Sequence, residues 1–203
     1  MKTKLTTKHL VGLAVLTAVV IVLQFLGSFI RFGVFSISLV LIPIVVGAAL
    51  YGPLAGAWLG LAFGVAVLLS GDAGAFLAIN VPGTVLTVLL KGALAGLCAG
   101  AVYYALADQA SREPGAKHHN YPAVIAAAIV CPVVNTGIFL LGCKLFFMDT
   151  INAWAQGAGF ASAGKFIIFG LVGGNFLFEL LFNIVLSPLI LRVIAIGKRE
   201  TRA

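Results

Sequence analysis

The chain has 203 residues, of which 62% are hydrophobic and only 9% charged, against roughly half apolar and a quarter charged in a soluble domain. A single soluble domain of that length cannot hide so much apolar surface, because the buried fraction rises only slowly with size. A water-soluble globule is therefore excluded and lipid becomes the solvent for much of the surface. The net charge of +7 then speaks of sidedness in a membrane, not of nucleic-acid binding.

Residues 1–8 carry Lys2, Lys4 and Lys8 and lead into an apolar run over residues 10–30. That run is too long for a signal-peptide core and no small-residue cleavage pattern follows, so it reads as the first transmembrane helix. Further runs bounded by charge, Pro or Gly follow at residues 36–51, 54–69, 81–107, 122–147 and 166–194. The second and third are short and joined by Gly52 and Pro53 alone, which predicts a tight hairpin. The expected fold is all-α and integral to the membrane: one domain, residues 1–203, forming a compact bundle of six transmembrane helices.

An even number of spans puts both termini on one side. Termini in the cytoplasm place Lys2, Lys4, Lys8, Arg112, Lys117, Arg192, Lys198, Arg199 and Arg202 inside and only Arg31, Lys144 and Lys165 outside, the bias that the positive-inside rule requires. Residues 31–35, 70–80 and 144–165 are then external, and residues 108–121, with His118 and His119, form a cytoplasmic linker. Those adjacent histidines read as solvated. Cys98, Cys131 and Cys143 lie in apolar segments without the spacing of a metal site, and read as small buried hydrophobes. No cofactor or metal is expected.

Glycines recur every fourth position, at Gly52, Gly56, Gly60 and Gly64 and again at Gly92, Gly96 and Gly100. Such stripes let helix backbones approach closely in lipid, and packing inside one bundle is the preferred reading. Ala14 and Ala18 form a similar pair in the first span.

Polar side chains inside the spans should face the bundle interior or a wet cavity. Lys91, Asn135, Asn175, Glu179 and Asn183 are of this kind, and Asn175, Glu179, Asn183 and Ser187 recur every four residues as one stripe. At about 1.5 Å per residue, Lys91, Asn135 and Asn175 lie roughly 15, 16 to 18 and 14 Å below the external ends of three different helices. A ligand entering from outside would meet a cation, two amides and, one turn deeper, a carboxylate. Alternatively Lys91 pairs with Glu179 while the asparagines bond across helices. Asp72, Asn80 and Trp154 in the external loops are candidates to close over a ligand, although a Trp there also serves as an interfacial anchor. Trp58 reads as a packing or interface residue.

The strings Ile37-Ser-Leu-Val-Leu-Ile-Pro43, Gly47-Ala-Ala-Leu-Tyr-Gly-Pro-Leu-Ala-Gly56 and Gly60-Leu-Ala-Phe-Gly64 resemble the membrane-embedded substrate-binding subunits, or S components, of energy-coupling factor vitamin transporters. The resemblance implies a subunit of a bacterial plasma membrane that binds a water-soluble vitamin from outside with high affinity. It implies docking on a transmembrane coupling (T) subunit carried by two ATPases, with Ala14 and Ala18 at the positions of the family's docking pair. The chain has no Gly-x-x-x-x-Gly-Lys-Ser/Thr phosphate loop, so the resemblance leaves ATP hydrolysis to those partners. An intramembrane hydrolase is disfavoured by the lack of Gly-x-Ser-x-Gly and His-Glu-x-x-His motifs. A stand-alone secondary transporter or channel is the alternative, and Gly173-Gly174 beside Asn175 suits the broken helix such proteins use. Lys91 at ligand depth suits an anion, which puts pantothenate ahead of riboflavin.

Overall fold

A computed structural model describes residues 7–29, 31–32, 35–36, 39–110 and 121–202. Helix α1 (Thr7–Ser28) is followed by two short antiparallel strands, β1 (Arg31–Phe32) and β2 (Phe35–Ser36), with Arg31 opposite Ser36. Then come α2 (Leu41–Tyr51), α3 (Pro53–Leu69), α4 (Gly74–Leu77), α5 (Val81–Ala110) and α6 (Tyr121–Phe146). The chain ends with α7 (Met148–Gly157), α8 (Ala163–Lys165), a π-helical segment (Phe166–Val172), α9 (Gly173–Val185) and α10 (Ser187–Arg202).

Among the described residues, four helical stretches are long and apolar enough to cross a membrane: Thr7–Ser28, Val81–Ala107, Tyr121–Phe146 and Ala163–Val185. Large apolar side chains such as Leu10, Val15, Leu54, Leu69, Leu145 and Phe169 are exposed on the outer surface, as they are where lipid replaces water. The chain is an all-α integral membrane protein.

Four of the expected segments differ from the sequence reading. The helix expected at residues 36–51 begins only at Leu41, and Ser36 instead belongs to β2, which pairs antiparallel with β1. The single helix expected over 166–194 is divided into the π-helical segment, α9 and α10. Tandem glycines open α9, and Pro188, which has no N–H to donate, stands in the first turn of α10. The external segments at 70–80 and 144–165 contain helices, α4 and α7. Most of the expected linker, including Arg112, Lys117, His118 and His119, lies outside the described residues.

The hairpin between α2 and α3 turns on Gly52 alone. Its φ of +102° is strained for any residue with a Cβ, and Pro53 starts α3 where its missing N–H would be unpaired anyway. Helix α2 is buried over most of its length, with Leu41, Ile44, Val45 and Ala49 fully enclosed; α1, α3, α5, α6, α9 and α10 all pack against it.

The closest helix pair is α3 with α5, which run antiparallel with their glycines in register. A Cβ built on Gly60 would strike the carbonyl of Gly92, and one on Gly92 the carbonyl of Gly60. Gly56 and Gly96 stand in the same relation, Gly64 lies on Val88, and Gly100 on Pro53. The backbones touch where side chains would otherwise hold them apart, so dispersion and Cα–H to carbonyl contacts act at short range. The two glycine stripes are the two faces of one interface.

We predict that Gly92→Ala lowers thermal stability in detergent by about 1–3 kcal/mol, the range for overpacking, because its Cβ meets backbone that cannot rotate away. Gly137→Ala in α6, where nothing lies within 4 Å of the added carbon, should leave the melting temperature unchanged or raised. Equal losses at both positions would refute the backbone contact as the cause.

Candidate functional site

Helix α5 emerges from the glycine interface with a second face on which Thr84, Thr87, Val88 and Lys91 follow each other at helical spacing. All four line a cavity of about 90 Å³. Helix α6 contributes Asn135, Thr136 and Phe139, α9 contributes Asn175 and Glu179, and α1 contributes Gln24. Phe63 and Val67 of α3, Phe76 of α4 and Phe147 complete much of the wall, with Asp72 at the α3–α4 connection. The space lies where the bundle core around α2 meets a second apolar cluster built from Phe76, Cys143, Phe147, Ile151, Phe166 and Leu171.

Lys91, Asn135 and Asn175, expected at one depth, thus come together at one cavity, and Glu179 joins them. The ammonium of Lys91 lies over two aromatic faces, 5.2 Å from the centroid of Phe63 and 5.8 Å from that of Phe139, within the reach of cation–π attraction. Glu179 Oε1 accepts a hydrogen bond from Asn175 Nδ2 at 3.2 Å, whereas Oε2 is buried with no hydrogen-bond partner. The direct Lys91–Glu179 pair considered from sequence is not formed as a hydrogen-bonded ion pair. Thr87 Oγ1, Asn135 Oδ1 and, away from the cavity, Asn183 Oδ1 are likewise buried without a partner.

The remainder of the polar stripe turns back on its own helix. Asn183 Nδ2 donates to the carbonyl of Glu179 at 2.8 Å and Ser187 Oγ to that of Asn183 at 2.9 Å. Neither residue is among those lining the cavity; their position below Glu179 makes them part of the helix's own bonding.

Of the three loop candidates, Asp72 reaches the cavity and the other two do not line it. Asn80 precedes α5 and its Oδ1 accepts the N–H of Gly83 at 2.9 Å, so it caps that helix. It borders a separate, more open groove with Pro82, Phe146 and Asp149. Trp154 packs edge-on against Phe76, with centroids 5.6 Å apart, and so supports the wall from behind. Ala14 and Ala18 are exposed on α1 and do not line the cavity. Between them, Thr17 Oγ1 accepts a hydrogen bond from Trp58 Nε1 at 3.2 Å, which ties α3 to α1.

Gln24 is a site residue that the sequence reading passed over. It is the one amide in the apolar run 10–30, and the rule applied to the other intramembrane polar groups identifies it equally well. Its Nε2 donates to Asp72 Oδ2 at 2.6 Å and to Ser70 Oγ at 3.3 Å, fastening α1 to the α3–α4 connection beside the cavity. Thr84 and Thr87 were also legible, since they precede Lys91 on the same helix face.

Replacing Gln24 by Leu keeps the bulk and removes both donors. Side-chain bonds inside membrane proteins contribute roughly 0.6 kcal/mol on average and at most about 1.7. We expect a modest fall in melting temperature together with faster amide hydrogen exchange across residues 70–80. Unaltered exchange there would show that Gln24 does not restrain the connection.

Residues 8–191 match a family model, that of the ECF transporter, substrate-specific component. No curated protein and no solved structure matches the chain.

Proposed function

The chain belongs to the substrate-specific components of energy-coupling factor (ECF) transporters, and we propose that the cavity among α1, α3, α5, α6 and α9 is where it binds a water-soluble vitamin. Members of this family are substrate-binding transport subunits, not enzymes, and they work with T and ATPase components. What carries the proposal is the convergence of Lys91, Asn135, Asn175 and Glu179 from three helices on one cavity walled by aromatic rings. Ligand sites have this mixture of an apolar surround and a few aimed polar groups. A cavity of about 90 Å³ is smaller than the roughly 300–1,000 Å³ of sites for drug-sized ligands, so entry requires the wall to move.

In this reading residues 1–203 form one domain that crosses the bacterial plasma membrane six times, α2 and α3 as two short spans joined in a tight hairpin, with both termini in the cytoplasm. The exposed Ala14 and Ala18 offer a flat strip of α1 on which a helix of the T subunit can lie closely. Pantothenate and then riboflavin were favoured by Lys91 taken alone. In the folded chain Lys91 shares the cavity with Asp72 and Glu179, which weakens the charge argument for an acid.

The purified chain alone should bind its vitamin, yet move it across liposomes only when the T subunit and ATPases are supplied with ATP. Replacing Ala14 or Ala18 by Trp should abolish that uptake and leave affinity intact. Equal loss of both would return the alanines to internal packing, and uptake by the chain alone would favour a secondary transporter.

Sidedness is tested separately. A cysteine introduced at Gly115 should be protected from an impermeant thiol reagent added to intact cells, while one at Gly157 should react. The opposite pattern would invert the topology.

A further inference from the structure

The cavity and the open groove at the start of α5 and the end of α6 are neighbours. Among the described residues Phe147 alone lines both. It stands between α6 and α7 and belongs to neither helix. Its ring meets Phe76, a cavity residue, at 5.0 Å between centroids, and Phe146, a groove residue, at 6.2 Å. A second link runs beside it: Thr84 Oγ1, on the cavity side, donates to the carbonyl of Asn80, on the groove side, at 2.7 Å.

The two spaces differ in size. The groove holds about 450 Å³, within the roughly 300–1,000 Å³ of small-molecule sites, whereas the cavity, at about 90 Å³, falls below it. Asn80, Asp149 and Thr150 give the groove polar groups, and Ile79, Val81, Pro82 and Phe146 give it apolar ones.

The contacts also select Phe147 as the moving part. Its backbone is pinned, because its N–H donates to the Cys143 carbonyl at 3.0 Å and its own carbonyl accepts from the Ile151 N–H at 2.9 Å. Its ring makes edge-on aromatic contacts, which have no polar bond to lose when the side chain changes rotamer. Ile79, Val81 and Pro82 of the groove supply apolar surface on which the displaced ring can lie. On the other approach, through residues 70–80, the wall is fastened by Gln24 to Asp72 at 2.6 Å and to Ser70 at 3.3 Å. Opening that side breaks polar bonds, which costs more than exchanging one apolar contact for another.

The following rests on the reading of the cavity as the ligand site and of residues 70–80 and 144–165 as external. We propose that the groove is an outer station for the same water-soluble solute, and that the Phe147 side chain is the door between groove and cavity. The solute rests first against Asn80, Asp149 and Thr150. Rotation of the Phe147 ring then joins the two spaces, and its return encloses the solute.

Entry can be timed directly, without a vitamin. Thr136→Cys places a thiol on the cavity wall of the purified full-length chain in detergent. Its reaction with methanethiosulfonate ethylammonium is followed by peptide mass spectrometry, which counts Cys98, Cys131 and Cys143 separately. We expect Thr150→Trp, which fills the groove, to slow labelling at position 136 by about tenfold or more, and Phe147→Ala to speed it by a similar factor. Where either variant does not fold, Val81→Trp from the opposite wall of the groove and Phe147→Leu take their places. Unchanged rates in both would overturn the proposal and leave the ligand-site reading intact; faster labelling in Gln24→Leu would then put the entrance at residues 70–80. No labelling at position 136 in any variant would overturn both, since a solute would have no way in.

Discussion

Everything near the cavity depends on how closely α3 and α5 approach. In lipid there is no hydrophobic penalty for leaving helices apart, so association rests on contact at van der Waals distance and on polar bonds. Gly56, Gly60, Gly92 and Gly96 provide that contact by removing side chains from the interface. Drawing the backbones together has a geometric result: Phe63 and Val67 on one helix and Thr87, Val88 and Lys91 on the other are brought to the same cavity wall. An alanine stripe would have moved the two walls apart and changed the site without touching any of its polar groups.

The second organising element is the polar arrangement that this rigid pair supports. Polar side chains in a bilayer are retained where they have a use, and the described ones fall into two groups. Asn183, Ser187, Asn80 and Thr84 bond to nearby backbone, and serve the helices that carry them. Thr87, Asn135, Glu179 and also Asn183 each hold a buried oxygen without a hydrogen-bond partner, and all but Asn183 belong to residues that line the cavity. The cavity-lining members of this set, together with Lys91 and Asn175, are where function is best sought.

Much of this was legible in the sequence because transmembrane chemistry is restrictive. Runs of apolar residues marked α1, α3, α5 and α6 closely, since in lipid the backbone must bond within its own helix. The depth argument that grouped Lys91, Asn135 and Asn175 assumed a constant helical rise, and the three line one cavity even though a π-helical segment precedes Asn175. It could not show that Lys91 settles over Phe63 and Phe139 instead of bonding Glu179, as the choice depends on rotation about helix axes and on rings from other segments. Asn80 and Trp154 show a different limit. A polar or aromatic residue in a loop is equally suited to capping, wall support and ligand contact, and only tertiary placement separates these uses. The divided sixth helix was visible as Gly173-Gly174 and Ser187-Pro188, but hydropathy alone is blind to a π-helical segment.

The unequal lengths of α1 and α3 have a consequence for the surrounding membrane. At about 1.5 Å per residue, the 22 residues of α1 span roughly 33 Å and the 17 residues of α3 roughly 25 Å, beside a hydrocarbon layer about 30 Å thick. Leu54, Trp58, Leu61, Val65 and Leu69 expose one side of α3 along its whole length, so lipid lies directly against the shorter helix. A long helix accommodates a thin layer by tilting, whereas a short one has no means of stretching. With α3 crossing the membrane as proposed, the acyl layer along it thins or flanking side chains reach out to the interface, neither of which α1 requires, and the lipid annulus is then uneven in thickness.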